Sequence, residues 1–214
     1  MGEYQAVLDK YRARAVAFEK DTSGWKESSK STDEIRIESK MSDKLNCSVY
    51  RMTFSVKVAP QVAIDTFALI PGTKRIGWDP DLNDITVIKQ LNETTVLSLM
   101  RSNGIAKGVI SPRELIDVLA IEKDGNNRWV VGGSVEDYPA IPSKDKFVRG
   151  VTGCMSMRVE EDPARPGYSK ITFVQEVDMK GRLPRSIIDS TLPGVAIGGF
   201  QNWKKYLRQE GLMA

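Results

Sequence analysis

An α+β fold built on an antiparallel sheet is predicted by two features of the chain. Apolar residues alternate with polar ones in runs that come in hairpin pairs, and helical periodicity is confined to the two ends and one segment between. Helices segregated from meandering strands in this way exclude a strand–helix–strand parallel architecture.

Taken in order, the first element is a helix over Glu3–Lys20, where Leu8, Tyr11, Ala15 and Phe18 recur at helical spacing and Asp21-Thr22-Ser23-Gly24 ends it. A short strand follows at Trp25–Ser29 and a better one at Ile35–Lys40. Tyr50–Val58 alternates cleanly, with Tyr50, Met52, Phe54, Val56 and Val58 on one face. Pro60 opens a helix through Ile70, stopped by Pro71-Gly72, and Thr73–Gly77 is a short helical element. Three hairpins come next. Ile85–Leu91 pairs with Thr94–Arg101, Arg113–Glu122 with Arg128–Asp137, and Phe147–Glu160 with Tyr168–Met179. A loop at Tyr138–Lys146 separates the second from the third, and the last hairpin closes through Asp162-Pro163-Ala164-Arg165-Pro166-Gly167. The final helix, Pro184 to about Glu210, carries the stripe Ile188, Leu192, Val195 or Ala196, Phe200, Trp203 and Leu207. Pro193 removes a backbone donor inside it, so a kink is expected, and Gly194, Gly198 and Gly199 weaken the same region. The sum is about nine strands and three helices.

Composition narrows the function. Of 214 residues 31 are basic and 28 acidic, a net charge of +3, too small an excess for a nucleic-acid binder. The absence of histidine removes imidazole acid–base chemistry and imidazole metal ligands. Cys47 and Cys154 match no metal spacing; they read as a reduced pair, with a lone disulfide as the alternative. Asp79, Asp81 and Asp84 have the spacing of a calcium loop without its glycine or its distal glutamate. Neither cofactor nor metal is expected. The N-terminus is charged and lacks the apolar core of a signal peptide, and no apolar run reaches the ~18 residues of a membrane span. The expectation is a soluble, cytoplasmic monomer.

The stretch Thr94–Glu122 holds the chemistry that stands out. Arg101 shares a strand face with Leu97 and Leu99, and Asp117 shares one with Leu115, Leu119 and Ile121. A charge on an apolar face has to be paired or hydrated. The loop between the strands carries Ile105, Ala106, Val109 and Ile110 where turn residues belong. Thr152, Cys154 and Ser156 share a face of one late strand, Phe173 and Gln175 a face of the other.

Six motifs stand in order and in register: Gly24-Trp25-Lys26, Trp78-Asp79, Ser111-Pro112-Arg113-Glu114, Phe147-Val148-Arg149-Gly150, Gly153-Cys154, and Asp178-Met179-Lys180-Gly181-Arg182-Leu183-Pro184. Together they resemble a START (StAR-related lipid-transfer) domain, and the small soluble sterol carriers that consist of a lone START domain in particular. The resemblance implies one lipid-binding domain over residues 1–214, with the helix-grip fold: a curved antiparallel sheet around the C-terminal helix and a lipid tunnel between. It implies a binding and transfer function for a sterol, cholesterol being the expected one, with transient docking on acidic membrane surfaces. It places the gate at the loop Gly104–Ile110, with Ile105, Ala106, Val109 and Ile110, and at the C-terminal helix with Pro193. The steroidogenic branch has an acid and an arginine in its pocket. Here Arg101 stands near the acid position and Leu119 at the arginine position. The expected ligand contacts are Arg101, whose charge Asp117 offsets, with Leu97, Leu99, Leu119, Thr152, Cys154, Phe173, Gln175, Leu192 and Phe200. Two alternatives stay open: a carrier or sensor of an anionic amphiphile such as a bile acid or fatty acid, held by Arg101, and a helix-grip enzyme. The lack of a nucleophile–base constellation counts against the enzyme.

Overall fold

The structure, a computed structural model, describes residues 4–135, 138, 141 and 146–213. In chain order the elements are α1 (Gln5–Lys20), β1 (Lys26–Glu27), β2 (Ile35–Met41), β3 (Ser48–Val56), α2 (Pro60–Phe67), a 3-10 turn (Lys74–Gly77), β4 (Leu82–Asn92), β5 (Thr95–Ser102), β6 (Arg113–Asp124), β7 (Asn127–Ser134), β8 (Val148–Arg149), β9 (Val151–Glu161), β10 (Ser169–Asp178) and α3 (Arg185–Gln209). Among the described residues the strands form one sheet ordered β1-β2-β3-β10-β9-β7-β6-β5-β4. Neighbours in that order run antiparallel. The short β8 lies parallel to the start of β6. Most of the loop expected at Tyr138–Lys146 lies outside the described residues.

Two boundaries differ from expectation for physical reasons. The helix opened by Pro60 ends at Phe67 rather than Ile70. Pro71 disfavours helical geometry at Ile70, and the Thr73 hydroxyl donates to the Ala68 and Ile70 carbonyls instead. The strand expected from Phe147 divides at Gly150, where a Cβ would lie 2.8 Å from Leu115 Cδ2 and 3.1 Å from the Asp178 carbonyl.

Both faces of the sheet are apolar, and different helices cover them. Leu8, Tyr11, Ala15 and Phe18 of α1 pack on Val49, Leu97, Leu99, Ile116, Val118 and Val174. The opposite face presents Met52, Phe54, Leu119, Val130, Met157 and Phe173 to α2 and to Phe200, Trp203 and Leu207 of α3. Close approach on the α1 face requires Gly133, since a Cβ there would stand 2.6 Å from the Tyr11 ring.

An aromatic cluster fixes α3 to the sheet. Phe67 stacks on Trp78 at 5.9 Å, tilts against Trp203 at 4.7 Å and meets Phe173 edge-on at 6.0 Å. Phe54 packs on Phe200 at 4.9 Å. The two indole N–H groups are both satisfied by one residue: Trp203 donates to the Thr66 hydroxyl and Trp78 to the Thr66 carbonyl. Trp203 is wholly buried. Trp203→Ala is therefore expected to lower unfolding free energy by about 3–5 kcal/mol, read by denaturant titration. A loss below about 1 kcal/mol would show that the cluster does not hold α3.

Candidate functional site

The first half of α3 is packed differently from the second. From Arg185 to Gly199 only Pro193 is buried, although the helix continues through it. Between this half and the sheet lies a cavity of about 180 Å³. β10 lines it with Phe173, Gln175 and Val177, β3 with Tyr50 and Met52, and β5 with Met100 and Ser102. Leu115 of β6, Ile105 of the β5–β6 loop, and Leu192, Pro193, Ala196 and Phe200 of α3 complete the apolar wall. Arg75, Asp79 and Asp81 form a charged end.

Of the residues expected at a binding site, the cavity brings together Phe173, Gln175, Leu192 and Phe200, with Ile105 and Pro193 from the expected gate. Others lie elsewhere. Arg101 does share a face with Leu97 and Leu99, but it is the α1 face: both leucines pack in the core under α1. Arg101 does not pair with Asp117. It stands directly across from Glu114 and donates to that carboxylate at 3.3 Å, while Arg149 donates to the other oxygen at 2.8 Å. Glu114 is fully buried, and a buried carboxylate between two guanidinium groups is a structural ion triad. Cys154 also faces α1, its thiol against the Tyr11 carbonyl, and burial pushes that thiol up to about 12. Thr152 parts from Cys154 because the register with β10 shifts at this point, so that Glu176 opposes Cys154 and Val177 opposes Thr152. The bulge leaves Gly153 where a Cβ would meet Glu176 Oε2 at 2.6 Å.

Asp117 and Leu119 do face α3, yet neither lines the cavity. Leu119 is core. Asp117 sits beside Leu115 and accepts from the Ser134 hydroxyl at 2.8 Å and the Thr152 hydroxyl at 2.9 Å. Among the described residues no cation is paired with it, and burial pushes its carboxyl up to about 6, against the lowering effect of those two hydroxyls.

In the β5–β6 loop, Ile105 and Ile110 bridge each other and are buried, whereas Val109 is half exposed. Ala106, Lys107 and Gly108 between them all have positive φ, 52°, 58° and 88°. The first two are strained by Cβ contacts that glycine avoids. Of these residues only Ile105 reaches the cavity.

The residues that sequence reading missed sit in its own motifs. Arg75 donates to Asp79 Oδ2 and to the Phe67 carbonyl, both at 2.7 Å, and lies over the Phe67 and Trp78 rings. Asp79 of the Trp78-Asp79 motif thus belongs, with Arg75 and Asp81, to the pocket's charged end. Arg113 donates to the Met179 and Lys180 carbonyls and to Ser111, so Ser111–Glu114 clamps the lead into α3. On β5 the cavity takes the neighbours of Arg101, Met100 and Ser102, and not Arg101 itself.

Comparison with known proteins follows from this geometry. A family model described as the START domain matches residues 13–212. The chain is 28% identical over 205 residues to the Homo sapiens StAR-related lipid transfer protein 6, covering 94% of this chain and 90% of that one. It is 24% identical to the Mus musculus StAR-related lipid transfer protein 5, covering 97% and 95%. A Bos taurus steroidogenic acute regulatory protein, mitochondrial, is 24% identical over 91% of this chain and 67% of that one. Among solved structures, the human StAR-related lipid transfer protein 5 superposes with a TM-score of 0.88 at 22% identity, covering 96% and 97%. The antiparallel sheet gripping a C-terminal helix is that fold.

The Asp117 environment makes stability depend on pH. A carboxyl raised from an ordinary 3.8 to about 6 carries a penalty of roughly 2–3 kcal/mol once ionised. Between about pH 4 and 6 the folded state binds more protons than the unfolded, so stability from this group falls as pH rises and stays low above 6. Asp117→Asn, whose amide can serve both hydroxyls, should remove that fall and raise the melting temperature at pH 7 but not at pH 4. Parallel melting curves for the two proteins across this range would refute it.

Proposed function

The chain belongs to the START domain family, and on that premise we propose that it binds one neutral sterol in the cavity under α3 and carries it between membranes as a single domain over residues 1–214. The observation that carries this reading is Gln175. Its side-chain amide faces the cavity and makes no hydrogen bond among the described residues, on a wall that is otherwise mostly apolar. A cavity with one unengaged amide suits a ligand that is a rigid apolar body with one hydroxyl. A phospholipid headgroup would call for several cationic partners. Apolar burial drives binding, at about 25 cal/mol per Å², and the hydroxyl sets orientation. No bond is made or broken. The reading as a carrier of anionic amphiphiles loses its motive, because Arg101 is held by Glu114 on the far side of the sheet. Cholesterol is the sterol proposed; the names of the relatives support lipid transfer as the class of function.

Exchange requires the cavity to open, since about 180 Å³ is below the roughly 300 Å³ at which ligand pockets begin. The first half of α3 is suited to moving. A Cβ at Gly194, Gly198 or Gly199 would meet nothing within 4 Å, so packing does not demand these glycines, and each weakens the helix by about 1 kcal/mol relative to alanine. Three segments that wall the cavity also carry exposed apolar side chains: Ile76 beside Arg75, Val109 in the Ile105 loop, and Ile187 at the start of α3. Exposed Lys74, Lys107 and Arg185 lie beside them. Apolar side chains interleaved with cations suit an acidic bilayer surface.

Three outcomes test the proposal. Gln175→Leu should weaken sterol affinity about three- to tenfold with the melting temperature held or raised; unchanged affinity removes the amide from the site. Val109→Asp and Ile187→Asp should slow sterol transfer between anionic vesicles severalfold while equilibrium binding stays as it was. Transfer at the original rate by both would sink the docking surface. Gly194→Ala with Gly198→Ala should stabilise the protein by up to about 2 kcal/mol and slow ligand release in a stopped-flow displacement assay; release at the original rate would acquit α3 as the lid.

A further inference from the structure

We infer that Asp81 is a charge filter: its carboxylate, set in the cavity wall without a counter-ion of its own, excludes lipids whose polar end is anionic. The inference rests on the carrier reading above and gives the charge class of its ligand. The charged side chains that line the cavity are Arg75, Asp79 and Asp81. Two of them are already engaged. Arg75 spends its guanidinium on Asp79 Oδ2, on the Phe67 carbonyl and on the faces of Phe67 and Trp78. Asp79 accepts Arg75 on one oxygen and the Asp81 backbone N–H on the other, at 3.0 Å. The Asp81 carboxylate has no hydrogen bond or ion pair among the described residues. Among the described residues the cavity end therefore carries one net negative charge, and its cation, Arg75, is already engaged.

The fold does not need that charge. Asp81 serves the turn only through its backbone, whose carbonyl accepts the Asn103 N–H at 2.8 Å and whose N–H goes to Asp79. Any residue could do the same. A second carboxylate beside Asp79 in a partly buried wall is unfavourable, and burial with that neighbour raises the pKa of Asp81 against the smaller opposing pull of Arg75. A charge that costs stability and holds nothing in place is explained by what enters the cavity. A hydroxyl can donate to it. A carboxylate or sulfate brought within about 6 Å meets repulsion equivalent to roughly a ten- to hundredfold loss of affinity at the effective dielectric of such sites.

The test is competition binding to the 214-residue chain with two matched pairs: a 3-hydroxysterol against its 3-sulfate, and a long-chain alcohol against the fatty acid of equal length. The original protein should prefer the neutral member at least about tenfold. Asp81→Asn should bring the ratio towards one, with neutral affinity kept within about threefold. Asp84→Asn, on β4 outside the cavity lining, should leave the ratio where it was, which separates a local filter from net charge. An unchanged ratio in Asp81→Asn, or a protein that binds the anions as well as the neutral lipids from the start, overturns the filter. Binding of the alcohol pair but not the sterol pair overturns the sterol reading while the filter is judged on the alcohols. Binding of neither pair overturns both.

Discussion

The structure depends on the placement of Phe67 and its neighbour Thr66. Two tryptophans from distant parts of the chain, Trp78 and Trp203, bring their indole N–H groups to Thr66 and their rings to Phe67. An indole buried without a hydrogen-bond partner would be costly, so both rings are held in position and orientation. Through Trp203 this secures the second half of α3; through Trp78 it secures the segment carrying Arg75, Asp79 and Asp81. The cluster stops at Phe200. Beyond it, towards the start of α3, the wall passes to Ala196, Pro193 and Leu192, side chains too small or too few to fill the space. The cavity is the region that the aromatic clamp does not reach.

The sheet segregates charge between its faces. Glu114 with Arg101 and Arg149, and Glu176 with Arg14 and Ser42, are buried on the α1 side. Replacing such ion pairs by apolar residues is often neutral or better for stability, so their value is not simply energetic. The Glu114 triad ties β5, β6 and β8 together, and the Glu176 cluster ties α1 and Ser42 to β10, each with directional bonds. The α3 side carries a neutralised Arg75–Asp79 pair, the solitary Asp81, and Asp117 satisfied by hydroxyls alone. Structural ions lie behind the sheet, and the cavity side is left mostly to apolar atoms.

That segregation also explains what could be read from the sequence. Helix and strand periodicities located every main element, because a one-sided apolar pattern leaves little choice. Parity along a strand was legible too: Leu97, Leu99 and Arg101 do share a face, as do Leu115, Asp117 and Leu119. Which face was which was not legible. β5 and β6 are buried on both sides, and period-2 alternation carries no information about inside and outside when both are apolar. The one clue was Glu114, an opposite charge directly across the hairpin from Arg101, which marks their common face as the ion-paired one. Thr152 and Cys154 were separated by a bulge, and a single extra residue reverses all parity beyond it. Gly153 was its only trace. The charged end of the cavity escaped because Arg75, Asp79 and Asp81 belong to an irregular segment, where no periodicity assigns a direction.

The strain in the β5–β6 loop fits the same logic. Ile105 and Ile110 are anchored, so the residues between must close in a tight left-handed turn, and Ala106 and Lys107 take positive φ without the freedom of glycine. Such positions cost of order 1 kcal/mol each and persist only where the surroundings hold them. Here the hold is the burial of the two isoleucines, one of which is also cavity wall. Any displacement of Ile105 that widens the cavity would loosen the bridge and relieve the turn together. On the proposed carrier reading, the weak helix on one side and the strained turn on the other would both lower the cost of opening, while the clamp at Phe67 would hold the second half of α3 in place.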